Sequence, residues 1–485
     1  MPSGTRFALP VACYAVLLVS ALQTLVVPVV ATIQADLGVT TSAASWVVTA
    51  NLLAAAVLTP MLGRLGDLYG RRPVMLGVLT LVLLGSVLAA TTSSLPLLLA
   101  GRVAQASAFG LFPLAIGVLR EELPPHRLTG AMAMVSGMLS VGAGFGLAVT
   151  GLLMQHGGDY HRLFWLATAL TAIGMAGVWL LPRRAGVATG GLDWTGALLL
   201  GLGLVLLLLP LEEGNNWGWG SVRVLGLLAA AVVVLAAFVL FERRATYPLV
   251  STRMLSHRPI VVANAAGLFF GFSMFAVFLA VSALVQTPPA VAGYGFGASV
   301  LAASLVYLLP GTALGVITAP VGGRLVARFG AKATLVIAAA VAGAGFAMLA
   351  VLHAATWEVI LGALVVNTGV TFGYAALPAL LVAHVAPAET GIANSVNSIA
   401  RSVGMSLGTA FVVTMMTRNP IPGPLPLPRE SQLVTVFVVG AALAAIAAAT
   451  VAWALPRVRE PKLTAEEVEA DDVLGAAGLD VPAPR

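Results

Sequence analysis

The segment PMLGRLGDLYGRR at residues 60–72 returns as PVGGRLVARFGAK at residues 320–332. Pro60, Gly63, Gly70 and Arg72 meet Pro320, Gly323, Gly330 and Lys332, each 260 residues later, and Tyr69 meets Phe329. Both copies close a long apolar run and deliver basic residues into the connection that follows. Punctuation repeated in the same phase means two related halves in parallel orientation. At roughly 20 residues per crossing plus short loops, a plain repeat of six crossings would recur at a shorter offset. The longer offset implies two extra helices between the halves, and Asp193 to Phe241 fit that role.

Outward from these copies the chain reads as fourteen apolar runs: 9–33, 43–63, 74–92, 95–119, 129–154, 163–182, 195–211, 222–241, 260–286, 298–321, 333–352, 357–383, 391–416 and 433–455. Most hold enough apolar residues to cross a hydrocarbon core about 30 Å thick. The fold class is therefore all-α, a polytopic membrane protein of two six-helix halves plus two inserted helices. The expected division is 1–190 for the first bundle, 191–245 for the inserted pair, 246–456 for the second bundle and 457–485 for a tail. That tail is acidic, short of aromatics and proline-bearing, the composition of a solvated disordered end.

Basic residues set the orientation. The even-numbered connections carry Arg64, Arg71, Arg72, Arg120, Arg127, Arg183, Arg184, Arg243, Arg244, Arg253, Arg258, Arg324, Arg328 and Lys332, whereas the odd-numbered ones hold only Arg162, Arg223, Arg418 and Arg429. By the positive-inside bias both termini face the cytoplasm and the protein is multi-pass in the cell (plasma) membrane. The net charge of +6 then reflects orientation rather than nucleic-acid affinity. Hydrophobic residues make up 59% and charged residues 9% of the chain, far from the roughly 25% charge of a soluble domain. The lone Cys13 lies in the first run, so there is no disulfide framework. That run is far longer than a signal-peptide core of roughly 7–15 residues and is kept as a helix.

Other chemistry finds little support. The sequence offers no phosphate-cradling loop, metal-spaced cluster or nucleophile elbow, and its histidines fall in loops or at run ends, so no cofactor and no metal are expected. A membrane-embedded enzyme, the rival class, would need paired ionisable groups at one depth. A solute-sensing receptor would need a signalling domain that the tail is too short to supply.

Several motifs resemble one transporter family. Gly63-Arg64-Leu65-Gly66-Asp67-Leu68-Tyr69-Gly70-Arg71-Arg72 is similar to the major facilitator loop G-x-x-x-D-x-x-G-R-R, and Arg102 with Gln105 resembles its R-x-x-Q element. Leu192-Asp193-Trp194-Thr195-Gly196, Trp217-Gly218-Trp219, and Glu389-Thr390-Gly391 leading to Arg401 and Gly404 resemble the fourteen-span drug:proton antiporter branch. The likeness covers residues 7–456. It implies alternating access, a small-molecule substrate held near the midplane between the halves, export of drug-like or apolar organic molecules, and the proton as coupling ion. A dedicated exporter of one endogenous metabolite would need the same cavity.

Within that frame Asp67 is the candidate gating charge, a contact made in one state and broken in the other; Arg71 and Arg72 are gating residues or plain topology anchors. The second copy has Ala327 at the Asp67 position, so such a lock is asymmetric. Arg102, the lone charge of run 95–119, should face the bundle interior and find an acceptor, and Arg401 follows the same logic with structural pairing expected. Gly137, Gly142, Gly144, Gly146 and Gly151 form a small-residue stripe that lets helices approach and slide. The stripe resembles the family's antiporter element G-P-x-x-G-G, but Leu147 replaces its proline and Thr150 a glycine.

For the substrate path the polar candidates are Gln23, Asn51, Gln105, Asn264, Asn367, Asn394 and Asn397. Phe109, Phe112, Phe269, Phe270, Phe272, Tyr307, Phe372 and Tyr374 serve as apolar walls. Energy coupling departs from the family. Where its first span resembles L-D-x-T-I-V, this chain has Leu22-Gln23-Thr24-Leu25-Val26, and Gln23 cannot titrate. The other acids sit at run ends: Asp36, Glu212, Glu213 and Glu358 outside, Asp67, Glu121, Glu122 and Asp193 inside. Coupling through an end acid such as Asp67, use of another gradient, and uncoupled facilitation stay open. Weak or atypical proton coupling is expected, with Gln23 hydrogen-bonding the substrate.

Overall fold

A backbone in hydrocarbon must satisfy its own N–H and C=O groups, so long apolar runs have helix as their accessible state. The computed structural model describes residues 5–26, 29–39, 41–154, 159–186, 191, 193–245, 254, 256–386, 389–418, 421 and 427–455, and these are almost wholly helical. The tail 457–485, Arg253 and Leu192 lie outside the described residues. The first half holds α1 (Thr5–Thr24), α2 (Val30–Leu37), α3 (Thr41–Tyr69), α4 (Arg71–Thr91), α5 (Leu95–Gln105), α6 (Leu111–Glu122), α7 (Pro125–Met154) and α8 (His161–Trp179). A 3₁₀ stretch, Ala106–Gly110, joins α5 to α6. Next come α9 (Trp194–Trp217) and α10 (Val222–Glu242), then α11 (Arg258–Gln286), α12 (Pro289–Ala292), α13 (Val300–Ala302), α14 (Leu309–Ala313), α15 (Gly315–Val351), α16 (Thr356–Val382), α17 (Thr390–Thr417) and α18 (Glu430–Ala454).

Local chemistry sets several ends. The Asp193 carboxylate accepts from the Gly196 amide at 2.8 Å and opens α9; Ser221 Oγ accepts from Val224 N at 3.3 Å and opens α10. Gly70 (φ 90°, ψ 147°) ends α3 and turns the chain into α4, and Gly330 (φ 80°, ψ 163°) bends α15 with nearly the same backbone. Only glycine adopts this region freely, so both copies of the repeated segment use one turning device.

Thirteen helices among the described residues are long and apolar enough to cross a membrane, not fourteen. The difference lies at run 298–321, which is divided among α13, a π-helical stretch at Ala303–Leu308, α14 and the start of α15. Pro310 lacks an N–H and its ring crowds the carbonyl four residues back, which disrupts the regular ladder there. Run 9–33 is likewise interrupted: α1 stops at Thr24 and α2 begins at Val30.

In the first half α1 packs along α7 and α4 along α8; in the second, α15 packs along α16 and α18, and α11 along α17. The halves meet where α7 lies against α15 and α16, and where α3 and α6 lie against α17. α9 touches both halves through α3 and α17. α10 exposes Val222, Val232 and Leu240, and Trp179, Trp194, Trp357 and Trp453 stand exposed near helix ends, as lipid-facing and interfacial side chains do.

Candidate functional site

At the arginine-rich end of the bundle, the turn at Gly70 places Arg71 at the first residue of α4, where its guanidinium folds back on Asp67 at 2.9 Å. Arg71 also pairs with Glu121 of α6, while the neighbouring Glu122 holds Arg184 at 2.9 Å. That hydrogen bond and the Glu122 charge raise Arg184 above its ordinary value, so the cation persists. Asp67 and Arg71 are 1% and 3% exposed, which makes the cluster a buried one. The free face of Asp67 looks across to the other half: a Cβ added at Gly391 would lie 2.6 Å from its Oδ2. Gly391 is in the first turn of α17, where the helix dipole favours a carboxylate.

Three further contacts close this end. Arg120 donates to Thr390 Oγ1 and to the carbonyls of Val385 (3.2 Å) and Ala386 (3.3 Å). Ser395 Oγ donates to Thr59 O at 3.2 Å, and a Cβ at Gly323 would meet Ala133 Cβ at 2.9 Å. Arg72 takes no part, donating instead to Trp179 O at 2.9 Å with its guanidinium over the Trp179 ring.

Arg102 is 1% exposed and held entirely within the first half. It donates to Val47 O (2.9 Å), Gln105 Oε1 (2.7 Å) and Leu22 O (3.5 Å). Gln105 Nε2 continues to Ser86 Oγ at 2.8 Å, and Asn51 Nδ2 donates to Arg102 O at 2.8 Å. The acceptors are neutral oxygens rather than a carboxylate. The web fastens α1, α3, α4 and α5, and it keeps Asn51 and Gln105 out of the central cavity.

That cavity, a narrow space of about 40 Å³ between the two halves, is lined by Val19, Ser20 and Gln23 of α1, Phe109, Phe112 and Leu139, and by Met274, Tyr374, Ser398, Arg401, Ser402 and Met405 of the second half. Arg401, 5% exposed, donates through Nη2 to Ser398 Oγ at 2.7 Å, while Nη1 has no hydrogen-bond partner. Its guanidinium carbon lies 4.4 Å from the Phe112 ring centre and 5.2 Å from that of Tyr374. Gln23 Nε2 is likewise buried without a partner, and the Tyr374 hydroxyl meets only the Met274 sulfur at 3.5 Å.

Of the sequence candidates, Gln23, Phe109, Phe112 and Tyr374 line this space. The others do not. Asn397 donates to Ala263 O (2.9 Å) and Asn264 Oδ1 (3.3 Å), tying α17 to α11. Asn367 bonds back to Ala363 O at 2.9 Å, and Phe270 packs over Gly373. The Tyr307 ring lies tilted against Phe296 at 5.7 Å between centres, and its hydroxyl is 3.4 Å from Thr356 Oγ1, towards the opposite end. In the glycine stripe, Gly142 faces Leu17 and Ser20, and Gly146 faces Ala21 and Thr24, so both join α7 to α1; Gly137 and Gly151 face Ala319 and Leu301 of the other half. Arg401, Ser398, Ser402 and Met274 were missed as cavity residues. An arginine flanked by serines in an apolar run was the available signal.

The profile of the Major Facilitator Superfamily matches residues 12–409. The chain belongs to this family of membrane transporters. Among curated relatives, the tetracenomycin C resistance and export protein of Streptomyces glaucescens is 31% identical over 399 residues, covering 79% of this chain and 71% of that one. Multidrug resistance protein 3 of Bacillus subtilis is 27% identical over 427 residues, with coverage of 86% and 80%. A puromycin resistance protein of Streptomyces alboniger is 31% identical over 401 residues, with coverage of 79% and 76%. Among solved structures, the human organic anion transporter MFSD10 superposes with a TM-score of 0.64 at 15% identity over 93% of this chain and all of that one. The proton:xylose symporter XylE gives 0.64 at 15% identity over 92% and 95%. At such identities these two speak for the fold alone.

Proposed function

We propose that this transporter exports drug-like or apolar organic small molecules across the cell membrane by alternating access, in exchange for protons. The arginine-rich end and both termini face the cytoplasm. The chain divides into halves 1–190 and 246–456 around an inserted pair at 191–245. The observation that carries the reading is the central cavity, walled by Phe109, Phe112 and Tyr374 and lined from both halves. Closure at the arginine-rich end is made by contacts between halves, chiefly Asp67 on Gly391 and Arg120 on Thr390, so opening the cavity to the cytoplasm requires breaking them. Arg102 supports coupling by gripping Leu22 O, one residue from Gln23. The α7 glycines give the close packing along which α1 and α15 shift.

The relatives' names point to drug resistance and export, and the test follows from them. In cells stripped of native pumps, expression of the protein should lower the accumulation of several structurally unrelated drugs. Efflux of a single compound would assign a dedicated metabolite exporter, and efflux of none would end the reading. Proton exchange is tested in proteoliposomes under an imposed pH gradient. With glutamine at position 23 the wild type should show weak pH dependence, and Gln23→Asp should gain it. Robust uphill transport by the wild type that ignores Asp67→Asn would exclude the atypical coupling.

A further inference from the structure

We infer that the central cavity selects molecules presenting an anionic oxygen, a carboxylate, phenolate or enolate, on a planar aromatic body. The inference rests on the proposed use of this cavity for export and names the substrate class.

Its basis is an imbalance of hydrogen-bonding groups. Arg401 Nη1 and Gln23 Nε2 are buried donors without partners, and both residues line the same space. Ser20 and Ser402 spend their hydroxyl protons on the carbonyls of Leu139 and Ser398, and Ser398 Oγ is already an acceptor for Arg401. The Tyr374 hydroxyl has only a thioether as acceptor. Three donors therefore converge with little to receive them, and no carboxylate stands among the described lining residues. Arg102, another deeply buried arginine, has three oxygen acceptors; Arg401 has a single serine hydroxyl. An incompletely paired guanidinium in a low-dielectric site favours an oxyanion that takes the free Nη1–H in a charge-assisted bond. It opposes a cationic ligand by like-charge repulsion. Phe112 and Tyr374 on the guanidinium, with Phe109 on the same cavity, add flat apolar faces against which an aromatic body packs.

The test uses three fluorescent probes of one shape: anthracene-9-carboxylate, anthracene-9-carboxamide and 9-(aminomethyl)anthracene as its ammonium. Binding to the purified full-length protein in detergent is measured, along with efflux from pump-stripped cells. The wild type should bind the carboxylate about tenfold or more tightly than the ammonium, the effect of one charge-assisted hydrogen bond gained in place of a repulsion. Arg401→Gln should erase that preference while leaving the carboxamide little changed, and Arg401→Lys should keep part of it. Gln23→Leu removes a neutral donor. It should weaken carboxylate and carboxamide together and leave the ratio between those two unchanged. Equal or tighter ammonium binding by the wild type overturns the inference whether or not any variant folds. So does a preference that survives Arg401→Gln, or failure to bind all three probes. Carboxylate preference in binding without efflux from cells leaves the inference standing and removes export instead. Efflux of the ammonium without carboxylate preference does the reverse.

Discussion

The two copies of the repeated segment share a backbone and differ in charge. Gly70 and Gly330 adopt the same glycine-only conformation, and Gly63 and Gly323 each bring their helix against the opposite half. The first copy adds the buried cluster of Asp67, Arg71 and Glu121, aimed at the start of α17; the second has Ala327 and Ala331 at the matching positions and meets α7 through Gly130 and Ala133. Close approach is thus one device and charge another. The seal at the arginine-rich end is apolar on one side and ionic on the other.

Removing the centre of the ionic side should have the largest effect. Arg71→Ala leaves the buried Asp67 and the half-buried Glu121 without the cation they share and should cost about 3–5 kcal/mol of stability, read as a lowered unfolding midpoint in detergent. Lys332→Ala in the second copy loses only a bond to the Leu455 carbonyl and should cost about 1 kcal/mol. Similar losses for the two would mean that the charge asymmetry carries no energy.

The shared turn offers a finer break. Alanine at either glycine pays a backbone penalty of about 1–3 kcal/mol. At Gly70 the new Cβ would also overlap the Arg184 carbonyl, whereas at Gly330 it meets nothing within 4 Å. Gly70→Ala should therefore lower the unfolding midpoint more than Gly330→Ala. The reverse order would contradict the close packing of the first copy.

Charge without change of shape is tested next. Asp67→Asn keeps volume but loses the attraction to Arg71 and to the α17 dipole, an interaction of up to about 2 kcal/mol. Transport should slow by about tenfold while membrane expression and substrate binding hold; a wild-type rate would reduce Asp67 to an anchor. The smallest effect belongs to Ala327→Asp. That position is exposed, so the added carboxylate stays solvated, and stability should change by less than about 0.5 kcal/mol with transport intact. A strong gain or loss there would show that the second copy does accept an ionic seal.

What could be read from the chain follows the same division. Apolar length and basic bias yield the membrane helices because bilayer thickness and the cost of unpaired backbone groups act on composition alone. Run 298–321 is helical from Val300, and the change to a π-helical stretch beside Pro310 leaves no mark in hydropathy. Polar residue type pointed to the span interiors but not to their neighbours. Asn51, Gln105 and Asn397 serve backbone carbonyls and neighbouring side chains within their own halves, while Gln23 faces open space. Nothing in local sequence fixes which azimuth of an all-apolar helix looks inward. Arg401 was legible as an anomaly and not as a cavity group, because its expected structural pairing depends on partners that only the three-dimensional arrangement supplies.

The inserted helix α9 lies diagonally over the seam between the halves. Gly201 rests on Val57 of α3, while further along Asn215 accepts a hydrogen bond from Thr414 of α17 at 2.8 Å and another from Trp219 at 3.1 Å. A helix in contact with both halves is a strut between them. The Gly201 contact is apolar and free to slip; the Asn215 contact is directional and holds. α9 is therefore pinned in register to the second half by a directional bond and held on the first by packing that sets distance alone.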